Sequence, residues 1–321
     1  MKKIAVIMIA ICLVLVSVTA CAEGNAASGH KVGFIQLTLV SNYHAAMSDH
    51  FEAIAKEAGL EAIMTNGEWK TDEQLQLCED LIAQGCEAII LNPVGDEVVP
   101  NILSRCQEAG IPLICVDNTS PGTGYTYIGI DNFAIYRGIG QYVGAKYKEG
   151  KVVYLRSTAN DTGCPAYRFG GFMAGLSDEG EVSGYDIIDE RYALEDVDQS
   201  EGMRQMEELL AANDQIDIVV CHRDGLLLGA LTAIKNAGRS DVKVVTGFDG
   251  EKAALEAIKA NAGGANGPEV VTGLNSPILI ADMTLEVLNK YFAGEALPAS
   301  YYTPVVTVTN DNIDKYLDFG F

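Results

Sequence analysis

From Lys31 onward, short apolar runs alternate with longer amphipathic stretches of helical period, and no other feature constrains the fold as much. Apolar runs of about four to eight residues, bounded by turn signals, read as strands buried on both faces, and amphipathic segments between them read as crossover helices. The expected strands are Val32 to Gln36, Glu61 to Thr65, Ala88 to Asn92, Pro112 to Val116 and Tyr127 to Gly129. A second series runs Lys151 to Arg156, Tyr185 to Asp189, Ile216 to Cys221, Val242 to Gly247 and Val270 to Leu274, with Val305 to Val308 near the end. Helix candidates between them include Glu73 to Ala83 and Met203 to Ala212, whose apolar residues recur three and four apart. Two such series in 321 residues predict an α/β protein with two doubly wound parallel-sheet domains.

Several expected strands end in small or polar clusters: Leu91, Asn92, Pro93; Val116, Asp117, Asn118; and Gly247, Phe248, Asp249, Gly250. Ligands of such sheets bind outside the carboxyl ends of the strands, so these clusters are where side chains can reach a bound molecule. Candidates spread over many loops suit a cleft between two domains better than one compact catalytic motif. No nucleophile elbow, P-loop or HExxH occurs, and the four histidines and the cysteines lack metal-ligand spacing, so no enzyme activity, metal or cofactor is expected. Gly138, Gly140 and Gly144 form a loose GxGxxxG inside an expected helix, not a dinucleotide turn. The acidic stretch Ala193 to Glu201 lacks the calcium-loop spacing and reads as a solvated loop. A formal charge of -22 excludes wrapping of nucleic acid and attachment to anionic lipid by charge.

Met1, Lys2 and Lys3 precede the apolar run Ile4 to Val16, which is shorter than the roughly 20 residues needed to span a bilayer. The run ends at Val18, Thr19, Ala20, Cys21, which resembles the lipobox of bacterial lipoproteins. Residues 1–20 are therefore expected to be a signal peptide, Cys21 the lipidated N-terminus, and residues 21–30 a small, polar tether. This predicts an exported protein anchored by lipid to the outer face of the cell membrane. Cys78, Cys86, Cys106, Cys115, Cys164 and Cys221 are an even number in an exported chain, so disulfides are open, yet Cys115 and Cys221 sit in apolar runs as small hydrophobes would.

The segments Ala88 to Pro93, Gly110 to Asn118, Gly129 to Asn132, Arg168 to Phe172, Asp224 to Leu231 and Thr246 to Gly250 occur in an order and at separations that resemble the ribose/galactose type of periplasmic sugar-binding protein. The resemblance covers nearly all of residues 31 to 310. It implies the type I periplasmic-binding fold: two α/β domains joined by three crossover segments, near Ile130 to Asn132, Asn275 to Pro277 and Pro304 to Val306. The first domain would comprise residues 31–130 plus 277–304, the second 131–275 plus 306–321. It also implies a monomer, capture of a monosaccharide or polyol, and delivery to an ABC permease; the alternative is presentation of the ligand to a chemoreceptor or sensor kinase.

Carried over position by position, the resemblance places Ser41, Tyr43 and His44 in the first binding loop, with Tyr43 as a stacking ring. Asp117 falls on a binding Asp, and Asn118 stands where the family has Arg. Arg168 and Asp249 fall on binding positions, Arg223 stands where an amide is usual, and Asn275 replaces a Gln. Carboxylates that accept from vicinal hydroxyls and guanidinium forks that donate to sugar oxygens suit such a ligand on chemical grounds alone. The alternative for Asp249 is a cap of the helix that follows. Trp69 is a candidate for the cleft mouth, and Asp131 and Asn132 for the hinge.

Overall fold

The computed structural model describes residues 25–159, 164–178, 182–194 and 197–321. The expected signal peptide, Cys21 and the start of the tether lie outside them. The first series consists of β1 (Lys31–Gln36), α1 (Asn42–Glu57), β2 (Glu61–Asn66), α2 (Thr71–Ala83), β3 (Ile89–Leu91), α3 (Val99–Ala109), β4 (Leu113–Val116) and β5 (Thr126–Gly129). After α4 (Asn132–Lys146) the second series follows: β6 (Gly150–Thr158), α5 (Cys164–Asp178), β7 (Tyr185–Ala193), α6 (Gln199–Ala212), β8 (Ile218–Cys221), α7 (Asp224–Asn236), β9 (Val244–Asp249), α8 (Lys252–Asn261) and β10 (Glu269–Leu274). Then α9 (Pro277–Phe292) and β11 (Ser300–Tyr302) return to the first sheet, and β12 (Thr307–Val308) goes back to the second.

The sheet orders are β11-β5-β4-β3-β1-β2 and β12-β10-β9-β8-β6-β7, so both halves are wound alike. The pairings are parallel except that of β12 with β10. The fold is thus two parallel-sheet α/β domains. Each sheet is covered on both faces, which explains strands without polar alternation. In β1, Val32 and Phe34 join the core cluster under α1 and α9, while Ile35 faces the cluster under α2 and α3. The second sheet is likewise sandwiched, with Val153 and Val219 on one face and Val152 and Val220 on the other. Each fully buried Leu, Ile or Phe side chain contributes about 1.5 to 3 kcal/mol.

The glycines of α4 have a packing role. A Cβ on Gly140 would overlap the carbonyl of Phe172 in α5, and one on Gly175 would overlap that of Arg137, so these helices touch backbone to backbone. Cys78, Cys86, Cys106, Cys115 and Cys221 are free and buried, and the side chain of Cys164 lies outside the described residues.

Several element boundaries differ from expectation. Pro112 precedes β4 instead of opening it, since proline cannot donate to the ladder. Only Thr307–Val308 of the expected Val305 to Val308 pairs, and Val305 is exposed. The short edge strand β11 was not expected: Ser300–Tyr302 lies between Pro298 and Pro304 and is only partly buried. The stretch expected to be a solvated loop contains the start of α6, whose first turn is capped by the Asp198 carboxylate accepting from Glu201 N at 2.9 Å.

Candidate ligand-binding cleft

The carboxyl ends of the strands in both sheets border one cavity of about 970 Å³, at the upper end of the range for small-molecule sites. Ser41, Tyr43, His44, Asp117, Asn118, Arg168, Arg223, Asp249 and Asn275 all line it, together with Trp69 and Asn132.

The loop after β1 and the first turn of α1 supply Ser41, Tyr43 and His44. Ser41 is the N-cap of α1, but its side chain makes no capping hydrogen bond. The Tyr43 hydroxyl lies 3.1 Å from Asp117 Oδ1 and 3.0 Å from Asn275 Oδ1. Its ring meets His44 and Phe321 edge to face, at 5.3 Å in each case. Burial, and then the charges of Asp117 and Asp249, raise the Tyr43 phenol well above its ordinary range, so it remains a proton donor. His44 Nε2 is 3.7 Å from Asp117 Oδ2, and its buried Nδ1 has no hydrogen-bond partner among the described residues. Trp69 is half-exposed beside His44.

Asp117 follows β4 with φ +59°, a backbone conformation that L residues adopt at a cost. Its position is held by buried amides. Asn92 Nδ2 donates to Gln36 Oε1 at 2.9 Å and to Asp117 Oδ2 at 3.3 Å, and Asn92 Oδ1 accepts from Asn118 N. Gln74 in turn donates to Asn92 O and accepts from Val94 N. Asn118 itself is exposed and donates from Nδ2 to Pro93 O.

The second domain presents more charge. Arg168, buried in α5, donates from Nε to Asn132 Oδ1 and from NH1 to His222 O, both at 2.9 Å, and its guanidinium lies 3.8 Å over the centre of the Phe248 ring. Arg223 is exposed in the cavity at the N-cap of α7. Asp249, at the end of β9, has φ +118° and accepts from Asn275 Nδ2 at 3.1 Å. Burial raises its carboxyl pKa, an effect that Arg223 and Arg168 oppose.

Asp249 is not the cap of α8. The N-cap is Glu251, whose side chain makes no capping bond, and the turn leading into α8 is held by Asp224, whose Oδ2 accepts from Gly250 N and Glu251 N and whose Oδ1 accepts from Thr272 Oγ1 at 2.6 Å. Among the described residues no cluster of His, Cys, Asp or Glu is arranged to hold a metal ion.

A family model described as "Periplasmic binding protein domain" matches residues 32–296. The chain belongs to this family. Over 303 residues it is 27% identical to the ribose import binding protein RbsB of Salmonella typhimurium, covering 94% of this chain and 96% of that one. The RbsB protein of Bacillus subtilis is 26% identical over 288 residues, 87% and 88% of the two chains. Among solved structures, a solute-binding protein of an ABC transporter from Mycobacterium smegmatis with bound glycerol matches with TM-score 0.72 and 26% identity, covering 90% of this chain and 96% of that one. One from Actinobacillus succinogenes with bound D-allose matches with TM-score 0.75 at 24% identity, covering 89% and 100%, and bears on the fold alone.

The family's two-domain fold explains how residues distant in sequence meet at this cleft, but it does not single out every lining residue. Asn42, Asp198, Glu251 and Phe321 also face the cavity and were not anticipated. Glu251 adjoins the TGFDG segment and could have been found there; Phe321 carries no local signal.

Proposed function

We propose that this protein captures a monosaccharide or polyol between its two domains and delivers it to an ABC importer. The observation that carries this reading is the meeting of Asp117 from one domain with Asp249 and Arg168 from the other around one cavity. Carboxylates and guanidinium groups on opposite walls match a ligand bearing hydroxyls in several directions, and relatives named for ribose import support that class. The nine residues anticipated from the sequence are proposed to contact the ligand. Crossovers near 130–132, 275–277 and 304–306 are proposed as the hinge, with domain limits at 31–130 plus 277–304 and 131–275 plus 306–321.

A ligand touching both walls has higher affinity for the closed arrangement, and only such differential affinity shifts a hinge population. A thermal-shift screen over pentoses, hexoses, polyols and uronates will identify the ligand. With that ligand, Asp249→Ala is expected to lose about 2 to 5 kcal/mol of affinity and to show little of the compaction seen by small-angle scattering in the wild type. Equal affinity and equal compaction would remove Asp249 from the site.

The reading includes export and lipid attachment at Cys21, motivated by Val18 to Cys21. Mass spectrometry of the native N-terminus tests this, and an unmodified start elsewhere would refute it.

A further inference from the structure

After β12 the chain forms two short 3-10 turns, Ile313–Lys315 and Leu317–Phe319, and then reaches the cleft. Tyr316, Leu317 and Phe319 pack on the core of the second domain, and Gly320 lies against Lys252 and Leu255 of α8. Two hydrogen bonds fix the path. Ser276, buried at the N-cap of α9, accepts from Ile278 N and donates from Oγ to Phe319 O at 2.7 Å. Lys252 N, in the first turn of α8, donates to Phe321 O at 3.2 Å. Phe321 is thereby held with its ring edge-to-face with Tyr43, at 5.3 Å and 83°, as part of the cavity lining. The Tyr43 ring is itself positioned through its hydroxyl, which bridges Asp117 and Asn275.

We propose that Phe321 is a selectivity-determining residue of the cleft: with Tyr43 it forms a rigid aromatic corner that favours ligands presenting a continuous C–H face. A cyclic sugar or cyclitol has such a face beside its hydroxyls, whereas an open-chain polyol must freeze several torsions to make one. The carboxylates and arginines match hydroxyls in either class, so discrimination between ring and chain falls to the apolar wall. Contact with an aromatic ring supplies dispersion without needing a hydrogen bond. The assignment rests on the ligand-capture reading above and adds the ring requirement to it.

The test titrates D-ribose, D-allose, myo-inositol, ribitol and D-sorbitol into wild type, Phe321→Ala and Phe321→Leu. Calorimetry gives the affinities, and fluorescence of Trp69, the single tryptophan of the chain and a cavity residue, is followed in parallel. Phe321→Ala is expected to weaken the best cyclic ligand by about 5- to 10-fold and to change open-chain ligands by less than about twofold, with Phe321→Leu between them. The melting temperature without ligand separates lost binding from lost folding; should the alanine variant fail to fold, the leucine variant carries the comparison. Wild-type ratios between cyclic and open-chain affinities in a folded variant would overturn the assignment. Failure of wild type to bind any of the five or any member of the thermal-shift screen would instead overturn the capture reading itself, and this inference with it.

Discussion

The two domains share one winding but support their walls of the cleft with different chemistry. Under Asp117 lies a set of neutral amides, Gln36, Gln74 and Asn92, which bond to one another and to main-chain groups. Under Asp249 lie ionisable groups: the buried Asp224 carboxyl, His222, and the Arg168 guanidinium stacked on Phe248. Both arrangements hold a strand-end carboxylate in place, yet an amide network is indifferent to pH, whereas the charged network responds to it and penalises removal of a member more heavily. Identical topology therefore does not imply identical sensitivity.

The largest expected difference is in stability. Asp224→Ala leaves two backbone N–H groups and the Thr272 hydroxyl without their acceptor, and should lower the unfolding free energy by about 3 to 5 kcal/mol. Asn92→Ala should cost about 1 to 3 kcal/mol, because it leaves an amide oxygen and a main-chain N–H to re-satisfy, while Asp117 keeps its bond from Tyr43. Urea midpoints of the two variants measure this; an equal or larger loss for Asn92→Ala would break the contrast.

The smaller expected effect sharpens the same contrast through pH. Burial first, then the charges of Arg168, Arg223 and Arg156, hold the His222 pKa well below its ordinary 6.5, so the folded protein keeps this ring neutral. The unfolded chain takes up the proton near 6.5 and the folded chain does not, so this contribution to stability is present above that pH and is lost as pH falls below it. The slope approaches that of one proton, about 1.4 kcal/mol per pH unit. His222→Asn should flatten the stability profile between roughly pH 6.5 and 5 relative to wild type. Parallel profiles for the two proteins would mean that His222 does not carry the acid sensitivity of this half.

What could be read from the sequence follows from which interactions are local. The strand series was legible because burial on both faces leaves apolar runs such as IIL in β3 and LICV in β4. Asp117 and Asp249 stood out because each ends such a run. The support given by Asp224 was hidden, because its partners Gly250, Glu251 and Thr272 lie 26 to 48 residues away. β11 was hidden for a different reason, since three residues between prolines, two partly buried and Tyr302 exposed, show no periodicity. Phe321 reaches Tyr43 only through the folded path of the segment before it, which no motif announces.

Asp117 and Asp249 both sit at positive φ, where glycine would be at ease and an aspartate is strained. Within the fold each carboxylate offsets part of that strain by accepting hydrogen bonds, Asp117 from Tyr43 and Asn92 and Asp249 from Asn275. On the ligand-capture reading proposed above, contact with the ligand adds a second reason to keep them. In a lineage released from that duty, these two positions should be among the first to drift to glycine, while the aliphatic strands leading to them stay as they are. On the same reading, a chain of this architecture that has kept its strands but carries glycine at both strand ends would no longer hold such a ligand.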